Sequence, residues 1–144
     1  MPTADTLDEK TYQRILGLSE AGDACIDQDD FAGAAARFQE ALALVPEPIE
    51  DWDASTWLLT SLGEAYFFNG QYEEAKSALS RALHVPGAIG NPLIHLRLGQ
   101  VQFEIGNKEL AADELLRAYM AEGEEIFEGE DEKYFDFLRK TVEL

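Results

Sequence analysis

The chain has 144 residues, of which 46% are hydrophobic and 10% aromatic. That is enough apolar material for a packed core and excludes wholesale disorder. Eleven Lys and Arg against 29 Asp and Glu leave a net charge of −18, which argues against nucleic acid or an anionic membrane as partner and favours a basic partner, or solubility alone.

The first residues, Met1–Thr6, contain neither a basic stretch nor an apolar one, so no signal peptide is expected. Apolar runs throughout are too short to span a bilayer. Cys25 is the single cysteine, so no intrachain disulfide can form. A cytoplasmic protein of one domain, 1–144, is the expectation. The charge is uneven, at −8, −2 and −8 over residues 1–50, 51–100 and 101–144, so the acidic ends flank a more neutral middle.

Residues 5–10 are expected to cap or lengthen a first helix. Three similar segments then follow. Gly22, Ala34 and Ala41 recur 41 residues later as Gly63, Ala75 and Ala82, and these recur 36 residues later as Gly99, Ala111 and Ala118. Constant spacing within a unit, with variable spacing between units, predicts helical hairpins at about 15–46, 56–86 and 92–122. A glycine inside a helix costs about 1 kcal/mol against alanine. The reason expected for it is close approach of the second helix through Ala34, Ala75 and Ala111. Gly70 and Gly106 end first helices, Asp30 and Asn107 are N-caps of second helices, and Pro46 and Pro86 stop them. Between the first two units, Trp52 is expected to pack onto the next helix, or else to meet a partner. Residues 122–132 are an acidic connector read as solvated charge, with a partner-facing patch as the alternative. Tyr134, Phe135, Phe137, Leu138 and Val142 then return at helical spacing and predict a capping helix over about 131–143.

Trp57, Leu59, Leu62-Gly63, Tyr66, Gly70, Tyr72, Ala75, Leu79, Ala82 and Pro86 resemble the tetratricopeptide repeat (TPR) pattern. The first unit departs from it at Ala21 and Cys25, and the third at Gly123. The resemblance covers about residues 11–122. It implies an all-α fold of three helix-turn-helix hairpins in a short right-handed solenoid, closed by the capping helix. It also implies a groove lined by the first helix of each hairpin. Carried over residue by residue, the partner-binding positions are Asp23, Asp27, Trp57, Thr60, Glu64, Phe67, Gln100 and Glu104. Aromatic anchors rimmed by carboxylates suit a neutral or basic protein or extended peptide.

No catalytic, metal or cofactor site is expected. His84 and His95 lack neighbouring ligands at metal spacing, and Cys25 holds a packing position. Gly87-Ala88-Ile89-Gly90 lacks the Lys and Ser/Thr of a phosphate cradle. The acidic runs at 27–30 and 122–132 lack the spacing of a calcium loop. TPR proteins that bind chaperone tails share a clamp of Lys, Asn, Asn, Lys and Arg. Here those positions are Ser19, Asp23, Ser61, Leu93 and Arg97, so only the last fits. In length and acidity the chain resembles TPR immunity proteins encoded beside bacterial toxins, and its stretch Glu-Glu-Ile-Phe-Glu-Gly-Glu-Asp-Glu-Lys-Tyr-Phe-Asp-Phe-Leu, residues 124–138, is similar to their ending. It also resembles class-II type III secretion chaperones. A plain scaffold, homodimeric through the C-terminal aromatic helix, is the remaining reading.

Overall fold

The computed structural model describes residues 7–144, so the expectations placed on Met1–Thr6 lie outside the described residues. The described residues form helices and turns, with no strand among them. Seven α-helices follow in order: α1 (Glu9–Asp27), α2 (Phe31–Ala43), α3 (Ala54–Phe68), α4 (Tyr72–Ala82), α5 (Pro92–Ile105), α6 (Lys108–Glu122) and α7 (Glu132–Thr141). Short 3-10 turns occupy Ile49–Asp51 and Glu124–Phe127. The chain gathers into two compact units, Met1–Ile89 and Gly90–Leu144. The first holds the hairpins α1–α2 and α3–α4, and the second holds α5–α6 with α7.

In each hairpin the second helix buries the same register: Ala34, Phe38 and Ala41 on α2, Ala75, Leu79 and Ala82 on α4, and Ala111, Leu115 and Ala118 on α6. The residues of each stripe are spaced at four and then three, the period that puts them on one helix face. The repeat glycines face this stripe, and the atoms nearest to them belong to its large side chains. A Cβ on Gly22 would lie 2.7 Å from the Phe38 ring. One on Gly63 would lie 2.5 Å from Leu79 Cγ, and one on Gly99 2.6 Å from Leu115 Cδ2. The large side chain one turn beyond each alanine fills the space the glycine leaves. The alanines still let the helices approach, which is why both features recur together.

The termini mostly follow their cap chemistry. Asp8 accepts from the Thr11 amide to start α1, and Asp30 accepts from the Gly33 amide at 3.0 Å to start α2. Asn91, with Pro92 behind it, starts α5. Gly106, at φ +102°, ends α5 in the left-handed region. Asn107 precedes α6 as predicted, but its amide turns back to donate to Gln102 Oε1 at 2.8 Å, and α6 begins without a side-chain cap. Trp52 is buried after the 3-10 turn, and its indole Nε1 has no hydrogen-bond partner. No described helix is long and apolar enough to cross a membrane.

Candidate functional site

In the first unit, the exposed face of α1 carries Glu20, Asp23 and Asp27, spaced three and four apart so that their carboxylates share one side of the helix. None of the three is in an ion pair among the described residues. Partial burial, and repulsion from Asp27 and then Glu20, raise the Asp23 carboxyl above its ordinary value. The stripe runs into the turn Gln28-Asp29-Asp30, where Asp29 adopts φ +60°. Asp30 is committed to capping α2, so the charge that faces outward comes from the other three aspartates of this stretch and Glu20.

On α3 the predicted positions 57, 60, 64 and 67 fall on one face, and they divide by environment. Trp57 is 36% exposed. Thr60 is buried, and its hydroxyl donates to the Thr56 carbonyl at 2.6 Å, so its polarity is satisfied within the helix. Glu64 and Phe67 are half-buried. Phe67 belongs to a chain of rings. Its centroid is 5.5 Å from Phe68 and 5.9 Å from Tyr72, and Phe68 is 5.4 Å from Phe31 at the start of α2. Such tilted spacings are those in which ring edges meet ring faces. This cluster sits beside the acidic α1–α2 turn, since Phe31 follows Asp30 directly.

In the second unit, α5 presents its two predicted residues to the chain's own C-terminal segment. Gln100 is fully buried. It donates to Glu130 Oε1 at 2.8 Å and accepts from Arg97 at 3.0 Å, and Arg97 itself reaches the same Glu130 oxygen at 2.6 Å. Glu104 accepts from the Tyr134 hydroxyl at 2.8 Å and pairs with Lys133 at 2.9 Å. Between them, Phe103 meets Tyr134 and Phe137 edge-on at 5.4 and 5.2 Å, with the Lys108 ammonium 3.4 Å from its centroid. The segment 123–141 therefore lies along the face of α5 that the repeat pattern assigns to the groove. The acidic connector is not simply solvated: Phe127 is buried against Phe135, and Glu130 satisfies two buried donors. Sequence reading missed Glu130. The signal lay in Arg97 and Gln100, two strong polar groups within the apolar run of α5, because a buried guanidinium requires a carboxylate somewhere.

The remaining chemistry-bearing side chains serve packing. Both His95 nitrogens are engaged, Nδ1 with Glu114 at 2.7 Å and Nε2 accepting from the Gly90 amide at 3.1 Å. Cys25 is half-buried on α1. Among the described residues no three His, Cys, Asp or Glu side chains are grouped to hold a metal ion.

Paired antiparallel helices with glycine-to-large-residue contacts at a repeating register define a helical-hairpin repeat protein. Tetratricopeptide-repeat family models match residues 13–85 and 60–125, and the chain belongs to the tetratricopeptide repeat family. Solved structures similar in fold include two TPR domains and a secretion chaperone. The TPR domain of Arabidopsis OM64 matches with TM-score 0.72 at 16% identity, covering 92% of this chain and 99% of that one. The Yersinia enterocolitica type III secretion chaperone SycD, in complex with a peptide of the translocator YopD, matches with TM-score 0.71 at 16% identity, covering 92% and 95%. The second TPR domain of human RPAP3, in complex with an HSP70 peptide, matches with TM-score 0.68 at 15% identity, covering 90% and 96%. No curated protein sequence matches the chain.

Proposed function

We propose that this protein is a non-catalytic interaction module that binds and neutralises a basic protein partner, in the manner of an immunity protein, in the cytoplasm. The observation that carries the reading is the α1 stripe. Glu20, Asp23 and Asp27 share one exposed side of the helix, where partial burial, and then repulsion from Asp27 and Glu20, raise the Asp23 carboxyl, and none of the three is in an ion pair among the described residues. A partner's Lys or Arg placed there would relieve that repulsion. The net charge of −18 would steer such a partner in from a distance. Trp57 and the ring cluster ending in Phe68, which is 41% exposed, supply apolar anchors beside the carboxylates.

The test is to mix the purified protein with the product of the neighbouring gene, at about 50 and about 300 mM salt, on either side of the ionic strength at which the screening length is near 10 Å. A one-to-one complex weakened by salt, and lost with Asp23→Lys or Asp27→Lys, supports the reading. Absence of a complex at low salt overturns it.

A second reading is favoured by one observation: a secretion chaperone holding a translocator peptide shares this fold. Under it the chain would hold an extended peptide along α1 and α3. Trp57→Ala and Glu64→Lys would then abolish peptide binding, with no folded basic protein involved.

A further inference from the structure

The faces discussed so far belong to the first helices of the hairpins. The first unit has another concavity on the opposite side. The cavity has a volume of about 410 Å³ and is bounded by α2, the 44–53 junction, α3 and α4. Both α2 and α4 pack on α3, and the cavity opens where α3 is left uncovered between them. The first repeat spacing is five residues longer than the second, 41 against 36, and its junction carries the 3-10 turn Ile49–Asp51.

The floor is apolar: Leu42 from α2, Ile49 from the turn, Leu59 and Leu62 from α3, and Ala78 from α4. The rim is polar and mostly negative. Glu47 and Glu74 are exposed on it, and neither is in an ion pair among the described residues. Glu74 instead accepts from the amide of Gln71 at 2.9 Å. The one cation on the rim, Arg81, is already bound to Glu50. Gln39 and the Tyr66 hydroxyl hydrogen-bond to each other across the rim. Glu47 acts on Arg81 only through its field, without an ion pair, so three carboxylates (Glu47, Glu50 and Glu74) stand around one guanidinium, and an apolar floor under a rim of net negative charge has a defined complement.

We infer that this cavity is a docking site for a basic protein segment that inserts one large apolar side chain, Leu, Met or Phe, onto the floor and sets flanking Lys or Arg against Glu47 and Glu74. The inference rests on the reading of the partner as basic and adds a second contact face to it. The apolar anchor gives affinity through area removed from water. The rim charges give orientation and attraction, which salt weakens. An acidic segment would meet like charge at both carboxylates, and a purely polar one would leave the floor wet. A partner that engages both this cavity and the α1 stripe would grip the first unit from two sides.

The experiment uses the full chain with labelled Ile, Leu and Ala methyls, observed by NMR. The probe is a short synthetic peptide with one central Phe between Lys-Arg pairs. Its control is the same peptide with Ser in place of Phe. The expected result is saturable shifts at the Leu42, Ile49, Leu59 and Ala78 methyls, with binding at least about tenfold weaker for the Ser peptide, the loss that follows from withdrawing one buried side chain. Ser77→Trp, at an exposed lining position, should block the cavity without unfolding the chain, as far-UV circular dichroism would verify. Glu47→Lys with Glu74→Lys should weaken binding by a similar factor. If the peptide binds but shifts only residues on α1 and the outer face of α3, the cavity is not the site and the basic-partner reading stands. If neither peptide binds at low salt, both fall.

Discussion

Gly17 and Gly99 are both helical glycines, yet replacing each with alanine should move stability in opposite directions. An added Cβ at Gly17 on α1 meets nothing within 4 Å, so Gly17→Ala collects the helix-propensity gain, about 1 kcal/mol. At Gly99 the same methyl would lie 2.6 Å from Leu115 Cγ and Cδ2, and 3.0 Å from the Leu115 backbone nitrogen. The side chain can rotate; the backbone nitrogen can yield only if α6 moves. Overpacking of this kind costs about 1–3 kcal/mol. Taking the upper part of that range and subtracting the propensity gain leaves Gly99→Ala destabilised by about 1–2 kcal/mol. The two variants should thus differ by about 2–3 kcal/mol, or roughly 8–12 °C in melting temperature at about 4 °C per kcal/mol for a chain of this size. Urea unfolding followed by circular dichroism at 222 nm measures the difference. If Gly99→Ala is as stable as the parent, the repeat glycines are not held by close approach of the second helix, and the packing argument for all three hairpins is wrong.

Glu130→Ala removes the acceptor shared by Arg97 and Gln100 and should cost about 2–4 kcal/mol in urea unfolding, with Glu130→Gln recovering part of the loss. A loss below about 0.5 kcal/mol, typical of a solvated surface site, would contradict the network. The Asp23 carboxyl is raised in the folded chain, so its contribution to stability is lost as pH rises from the unfolded value through the folded one. Asp23→Asn should therefore be more stable than the parent at neutral pH and equal to it below about pH 3, where both states are protonated; a carbon-detected NMR titration of Asp23 should also give a pKa above its ordinary value of 3.8. Glu50 has the opposite sign. The hydrogen bond from Arg81 lowers its carboxyl below the ordinary 4.5, so stability present above that value is lost as pH falls. Arg81→Ala should flatten this part of the acid unfolding curve, which pH-dependent thermal melts would show.

The three hairpins were legible because glycine and alanine spacings survive variable junctions, although α1 and α3 start earlier, at Glu9 and Ala54, than the spacing alone marked out. Legibility failed where two parts of the chain meet at long range. The side chains that face Gly22, Gly63 and Gly99 lie one turn beyond the alanines that the spacing singled out, and only the helix-to-helix distance decides which is in contact. Asn107 has the composition of a cap, but Gln102 competes for its amide. Gln100 and Glu104 stand at groove positions of the repeat, and nothing local to them announces that residues 30 further on will engage both. The fold was read from periodicity. The candidate site was read only as a set of helix positions, because which of them face outward depends on what the rest of the chain covers.

The arrangement of α5 and its lid also has a consequence in time. Within the hairpins, packing joins helices linked by turns of a few residues, the kind of local closure that folds quickly. The contacts that cover α5 close over 30 residues. A chain emerging at about 5–20 residues per second leaves the α5 face without its cover for roughly 2–6 s after that helix is made. During synthesis Arg97 and Gln100 thus wait for Glu130, and the segment that closes over α5 is made only after both α5 and α6.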